Sequence, residues 1–315
     1  MTEHTVAVVG GAGTIGTTAA YTLGVDRPDV DVRLCDVAGD DATGHAIDLR
    51  HARCHTAHAL GGSGPTGEVT AVDPGPDAVR GADCVLVTAS VPRPTERGDE
   101  GRNAWWPANR EVAETVGGWL AEADPVPVLS VTNPLDRYLA VLHAESGWPR
   151  HRFVGYSLSE TARMADAIAR HVGADPAAVD CPILGEHGEH MVPAYSRATV
   201  GGEPFDPSPA ERESLLAETK AAPYDVIELR GGEDSSRWVT ARGVALVVER
   251  ILDGGGEGTV CLSTPLDGEY GIEGVPVSVP VELGPEGVER VIEWELSPEE
   301  RRGVARAAEA IRRDL

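Results

Sequence analysis

Apolar positions in the first half of the chain fall into short, nearly continuous runs. Val6-Ala7-Val8-Val9, Val32-Arg33-Leu34-Cys35, Cys84 to Ala89 and Val126 to Val131 are rich in β-branched residues and end in Gly, Asp, Ser or Thr. Runs of this kind predict strands buried on both faces of a parallel sheet. Helical spacing fills the gaps, over Thr17 to Leu23, Thr43 to Ala52 and Ala104 to Glu122, the last with Pro107 near its first turn. Repeated strand–helix units imply a doubly wound parallel sheet whose ligand sits beyond the C-terminal strand ends. Segments 10–16, 88–103 and 131–134 follow such strands and are the candidate ligand side.

The pattern changes near Phe153. Ser159 to Val172, Pro209 to Leu229 and Val239 to Leu252 read as helices, the last two separated by a Gly/Ser-rich break. Val275 to Leu283 alternates around Pro276 and Pro280, which predicts an edge hairpin strand. Ser297-Pro298-Glu299-Glu300 reads as a capping box. It opens a closing helix with Val304, Ala307, Ala308, Ile311 and Leu315 on one face. The expected organisation is a nucleotide-binding domain over 1–152 and an α+β domain over 153–315.

The first strand runs into Gly11-x-Gly13-x-x-Gly16 and then a helix. Gly11 is expected to permit the turn, Gly13 to let a pyrophosphate reach the backbone, and Gly16 to allow close helix–strand packing. Thr14 and Ile15 lie in the turn before the helix, whose N-terminus favours phosphate charge. A glycine-rich turn alone is weak evidence. Here the second apolar run ends in Asp36, twenty residues after Gly16. A carboxylate there accepts hydrogen bonds from ribose hydroxyls and, with Asp40 and Asp41, repels a 2′-phosphate. Together these features predict a Rossmann-type NAD site.

Composition narrows the partners. The 315 residues carry a formal charge of −24, and Lys220 is the only lysine. Small soluble domains are designed with net charges of roughly 2–8 in magnitude. Nucleic acid and anionic membranes are disfavoured by repulsion. Acidic excess with Lys depletion and two Phe suits high intracellular salt; a GC-rich genome explains Arg over Lys but not the carboxylates. The five cysteines are scattered, which suits a reducing cytosol and no metal site. No apolar run reaches the roughly 18 residues of a membrane span. With the first strand so near Met1, no signal peptide is expected.

Several polar residues interrupt the pattern where chemistry could occur. His187 lies in Gly185-Glu186-His187-Gly188-Glu189-His190, an exposed turn that suits a catalytic base, a metal pair with His190, or a plain solvated side chain. Glu160 and Arg163 share a helix face, and from spacing alone they read as an ordinary helix salt bridge. Arg93, Arg97 and Arg102 punctuate a Pro- and Gly-rich loop and could be surface charges. Asn133 before Pro134 could be a turn signal.

In order along the chain stand Gly11-Ala12-Gly13-Thr14-Ile15-Gly16, Asp36, Gly44-His45-Ala46-Ile47-Asp48-Leu49-Arg50-His51 and Val87-Thr88-Ala89-Ser90-Val91-Pro92-Arg93. Val131-Thr132-Asn133-Pro134, Glu160-Thr161-Ala162-Arg163, Ile183-Leu184-Gly185-Glu186-His187-Gly188 and Pro276-Val277-Ser278-Val279-Pro280-Val281 follow. With these motifs the chain resembles the lactate/malate dehydrogenase family nearly end to end, its malate-specific members in particular and, in charge balance, its acidic haloarchaeal ones.

The resemblance implies reversible hydride transfer between (S)-malate and NAD, as in the tricarboxylic acid cycle. It implies that His187 takes the 2-hydroxyl proton and that Arg163 holds the substrate carboxylate in a two-bond fork. Arg102 closes over the substrate and polarises the reacting oxygen, Arg93 meets the distal carboxylate, and Asn133 bonds the reacting oxygen. Asn109, Val131, Thr132 and Asn133 face the cofactor. A cytoplasmic homodimer or homotetramer without metal is expected. The chain departs from the family where Glu160 replaces the Asp that orients the catalytic histidine, where Ser90 replaces a Gly, and in its longer Arg93–Arg102 loop. The stretch from Gly231 to Trp238 is also extended, and within it Ser236 is the match to a substrate-pocket hydroxyl of the family. The alternatives are a lactate or other 2-hydroxy acid dehydrogenase, or an NAD-binding protein without catalysis. An NAD-dependent glycosidase would need a Cys–His metal site, and no cysteine neighbours His187.

Overall fold

The computed structural model describes residues 4–55, 66–92, 106–231 and 236–315. β1 (Thr5–Val9) leads through α1 (Thr14–Asp26) to β2 (Asp31–Cys35), and α2 (Gly39–Cys54) leads to β3 (Val69–Val72). β4 (Cys84–Val87), α3 (Trp106–Ala121), β5 (Val128–Ser130), α4 (Leu135–Ser146) and β6 (Phe153–Gly155) follow. The six strands are parallel neighbours in the order β3-β2-β1-β4-β5-β6. The chain steps outward from β1 to β3 and then restarts on the other side of β1 with β4. The reversal opens a crevice at the carboxyl ends of β1 and β4.

Period-2 alternation explains the continuous apolar runs. Val6, Val8, Leu34 and Leu86 point into one core, whereas Ala7, Val9, Val85 and Val87 point into the other. α1 and α2 close the first with Ala19, Leu23, Ala42 and Leu49, and α3 and α4 close the second with Val116, Leu120, Leu139 and Leu142. α2 begins at Gly39 rather than Thr43, because Asp40 and Asp41 occupy its first turn, where carboxylates favour the helix dipole.

The second half contains α5 (Leu158–Val172), β7 (Val179–Asp180), β8 (Ile183–Gly185), β9 (Met191–Pro193), β10 (Thr199–Val200) and β11 (Glu203–Pro204). It continues with α6 (Pro209–Leu229), α7 (Arg237–Leu252), β12 (Val260–Asp267), β13 (Glu273–Gly284), β14 (Gly287–Val291) and α8 (Pro298–Arg313). β12, β13, β8 and β9 extend the parallel sheet in antiparallel fashion, joined to β6 where Ser263 faces Gly155. A Cβ on Gly155 would stand 2.8 Å from Ser263 Cβ, so close strand approach here requires glycine. The switch from parallel to antiparallel pairing thus falls at β6, which starts at residue 153.

α8 opens with the expected capping box of Ser297 and Glu300 and buries Val304, Ala307, Ala308 and Ile311. The expected edge strand is corrected. β13 pairs with β12 on one side and with β8 and β14 on the other, and most of its length is buried. Its prolines fit because β8 meets it only at Ser278 and β14 only from Val281 onward. Pro276 and Pro280 therefore lie outside those two ladders. Among the described residues no helix is long and apolar enough to cross a membrane.

Candidate active site

The turn after β1 is made by a glycine that the motif reading passed over. Gly10, not Gly11, carries the positive φ of 89°. A Cβ at Gly10 would stand 2.4 Å from Ala89 N, and one at Gly16 would stand 2.1 Å from Gly10 O. Those two glycines let β1, β4 and α1 touch backbone to backbone. A Cβ at Gly13 meets only Gly10 O at 3.4 Å, an ordinary contact, so the protein itself does not demand glycine there. Gly13 is exposed, and α1 starts beside it with no side-chain cap and no acidic residue in its first turn. Thr14 is exposed too and Ile15 half-buried. This open, positively polarised helix end fits a pyrophosphate laid against bare backbone.

Asp36 stands just past β2. Its Oδ2 accepts from Ala12 N at 2.9 Å and its Oδ1 from Ala38 N at 3.0 Å, so the carboxylate is held over the glycine turn. Beyond it opens a cavity of about 890 Å³ whose lining includes Val37, Thr43 and the carboxylates of Asp40, Asp41, Asp73 and Asp77. The spacing argument found Asp40 and Asp41; Asp73 and Asp77 arrive only because β3 pairs with β2. Ribose hydroxyls fit this environment, and an added phosphate does not.

The ends of β4 and β5 form the next wall. Thr132 Oγ1 donates to Ala89 O at 2.8 Å, and Tyr138 OH donates to the same carbonyl at 3.1 Å. Asn109, on α3, is fully buried. Its Nδ2 donates to Asn133 O at 2.7 Å, and its Oδ1 accepts from Val91 N at 2.9 Å and Ser90 Oγ at 3.2 Å. Instead of presenting a face to the crevice, Asn109 ties the two strand ends together. Ser90, the departure from glycine, takes part in that tie. Val131 and Asn133 are half-buried, and Asn133 Oδ1 is buried with no hydrogen-bond partner among the described residues. An orphaned acceptor at this wall fits a site that a ligand completes.

The acid–base candidates meet on the far side. α5 carries Glu160 and, one turn on, Arg163; the turn between β8 and β9 carries His187. His187 Nδ1 lies 3.2 Å from Glu160 Oε1, with the two side chains 8% and 2% exposed. The structure therefore brings together two residues 27 positions apart in sequence. The longer Glu side chain reaches the ring from α5. Ser236, the match to a pocket hydroxyl, stands at the N-terminal end of α7. Its carbonyl accepts from Thr240, whose hydroxyl lies 3.4 Å from that of Ser159. Arg93, Arg97 and Arg102 lie outside the described residues.

Two residues of this region escaped the sequence reading. Asp136, in the first turn of α4, is almost fully buried; its Oδ2 accepts from the His187 backbone N–H at 2.8 Å and its Oδ1 from Ser263 Oγ at 2.6 Å. Burial pushes its carboxyl up to about 7, although both hydrogen bonds favour the charged form. Arg137, also buried, reaches Glu186 Oε1 at 3.3 Å and Asp314 Oδ2 at 2.5 Å. A signal existed: both charges interrupt the otherwise apolar series Leu135, Tyr138, Leu139 and Leu142. His190 lies 3.9 Å from Glu186, and among the described residues no three His, Cys, Asp or Glu side chains gather as metal ligands.

Residues 4–155 match the family described as lactate/malate dehydrogenase, NAD binding domain. Residues 160–315 match lactate/malate dehydrogenase, alpha/beta C-terminal domain. The chain is 34% identical over 310 residues to a malate dehydrogenase of Halobacterium salinarum, covering 97% of this chain and 96% of that one. In structure it is similar to malate dehydrogenase from Archaeoglobus fulgidus in complex with NADH, with TM-score 0.84, 27% identity and coverage of 99% and 98%. It is similar as well to a Cryptosporidium parvum lactate dehydrogenase complexed with lactic acid and nicotinamide adenine dinucleotide, with TM-score 0.88, 26% identity and coverage of 100% and 98%.

Proposed function

The chain belongs to the lactate/malate dehydrogenase family, and from that premise we propose that it interconverts (S)-malate and oxaloacetate with NAD. The observation that carries the reading is the buried Glu160–His187 pair, 3.2 Å apart. With Nδ1 beside Glu160 Oε1, the other ring nitrogen, Nε2, is left to exchange a proton with substrate. Bound NAD supplies the hydride acceptor in oxidation and, reduced, the donor in the reverse direction.

In oxidation, His187 Nε2 takes the proton of the 2-hydroxyl as the C2–H bond gives up its hydride, and the C2–O bond becomes a carbonyl. The imidazolium so formed faces the Glu160 carboxylate, which favours the charged ring. Arg163, half-buried and one turn along α5, binds the C1 carboxylate. Asn133 donates from its amide to the reacting oxygen. Gly13, Thr14 and Ile15 would hold the pyrophosphate, with Gly11 and the packing glycine Gly16 beside them, Asp36 the ribose, and Val131 to Asn133 the nicotinamide side. Asn109 fixes the last of these. Arg102 and Arg93 take the roles of loop arginine and distal-carboxylate partner.

The same reading includes a cytoplasmic, salt-adapted homo-oligomer. Supporting the oligomer, Tyr21 and Val25 of α1, Ile47 of α2, and Trp238 and Leu246 of α7 are exposed apolar groups on helices packed side by side. The acidic charge supports salt adaptation. The test is turnover, followed by nicotinamide absorbance, with NAD and a panel of 2-hydroxy acids, beside the mass of the particle in solution. Oxaloacetate reduced well ahead of pyruvate is the expected outcome. Pyruvate reduced equally well would replace malate with lactate as the substrate, and no turnover would leave only an NAD-binding protein.

A further inference from the structure

We propose that Asp136 is a positioning residue for His187: its carboxylate, anchored on β12 by Ser263, grips the His187 main chain and keeps a negative charge behind the imidazole. The inference rests on the dehydrogenase reading for the role of His187, and on geometry for everything else.

Four elements converge here. α5 supplies Glu160, the β8–β9 turn supplies Glu186 and His187, β12 supplies Ser263, and α4 supplies Asp136 and Arg137. The three carboxylates are served differently. Glu160 faces the His187 ring, and Glu186 faces Arg137, which also binds Asp314 near the end of α8. Asp136 is bonded by two neutral donors, a serine hydroxyl and a backbone N–H. An asparagine could accept from the His187 N–H with its amide oxygen and donate its NH2 to a reversed Ser263 hydroxyl without burying a charge. What the carboxylate adds is therefore the charge itself, which is costly to bury without a cationic partner. It sits at the backbone of the one residue that must become cationic in the reaction. Glu160 favours the imidazolium from the ring side and Asp136 from the main-chain side.

The carboxyl is pushed by burial up to about 7, so its charge is present above neutrality and is lost below it. The grip on the His187 N–H weakens with it, since a carboxylate accepts more strongly than a carboxylic acid. Glu186 and Glu160 push in the same direction as burial, while Ser263 and the His187 N–H oppose it.

The experiment follows the His187 backbone amide by TROSY NMR between pH 5.5 and 8.5 in the full-length protein and in Asp136→Asn and Ser263→Ala. In the unmodified protein the amide resonance should shift with a midpoint near 7. Beyond the part that tracks the His187 ring itself, the shift should vanish in Asp136→Asn, which keeps the acceptor but cannot titrate, and should move to higher pH in Ser263→Ala, which loses a bond to the charged form. In parallel, the alkaline limb of oxaloacetate reduction should move to lower pH in Asp136→Asn by on the order of one unit, with KM for NADH within about twofold. A shift beyond the ring's own that persists in Asp136→Asn, or a rate profile that does not move, would overturn the proposal. An unmodified protein that turns over no oxaloacetate would instead sink the dehydrogenase reading, and the amide titration would still decide whether Asp136 holds His187.

Discussion

Replacing Glu160 by Gln removes one charge and almost no volume from a site that is closed to water. Glu160 Oε1 and His187 Nδ1 are 3.2 Å apart, and their side chains are 2% and 8% exposed. Coulomb's law with an effective dielectric of about 20 gives an attraction of about 5 kcal/mol at that separation. The dipole of the glutamine carbonyl keeps part of it, so about 3–4 kcal/mol of imidazolium stabilisation should be lost. At about 1.4 kcal/mol per decade, kcat should fall by ~10²–10³. The loss appears only as the proton moves, so the affinity for NAD should change by less than about twofold. Steady-state turnover by nicotinamide absorbance and NAD binding by calorimetry measure the two quantities separately. Glu160→Asp adds a geometric check. Its carboxylate is withdrawn by about 1.5 Å, beyond the reach of a hydrogen bond while α5 stays in place, so turnover should again fall. A kcat within threefold of the unmodified protein in Glu160→Gln would refute the assignment of Glu160 as the partner of His187.

Asp36→Ser should weaken the preference for NAD over NADP, measured as a ratio of kcat/KM values; equal efficiency with both cofactors in the unmodified protein would contradict the role of Asp36 and its neighbouring carboxylates. Arg93→Gln should lower activity on oxaloacetate and raise it relatively on pyruvate, because a site built for a polar partner rejects an analogue lacking it by roughly 10⁴–10⁵; Arg97→Gln should leave the ratio nearly unchanged. Thermal unfolding should rise steeply across a potassium chloride series, since the Debye length contracts to about 3 Å at molar salt and screens a surface carrying net charge −24; a flat series would favour a compositional origin for the charge. Asp136 holds its proton to about pH 7 in the folded state, well above an ordinary carboxyl near 3.9. Its contribution to stability is therefore complete below the unfolded value and is lost as pH rises toward 7. The difference in melting temperature between Asp136→Asn and the unmodified protein should shift in favour of the variant from pH 4 to pH 7 and then level off. A constant difference would mean that the carboxyl titrates normally.

The parallel half of the fold was legible because its signals are local. A strand buried on both faces reads as a continuous apolar run, and a glycine turn between strand and helix has one use at that spacing. His187, Glu160, Arg163 and Asp36 could be picked out for the same reason: each sits in a short motif. Sequence alone also determined the surplus of negative charge. What it left open concerned neighbours distant along the chain. β13 reads as an edge because two prolines interrupt its donors, yet it lies inside the sheet, since β8 and β14 leave those two positions outside their ladders. Gly10 rather than Gly11 makes the turn because Ala89, far along the chain, occupies the space a Cβ would need. Whether Glu160 paired with Arg163 or reached His187 depended on how far back α5 packs, which is a matter of tertiary distance. Asp136 reads as one charge in an apolar helix until β12 and the β8–β9 turn close over it. Local pattern sets which face each element must bury; only packing of remote segments decides which polar groups are closed off from water, and those are the groups whose chemistry the burial changes.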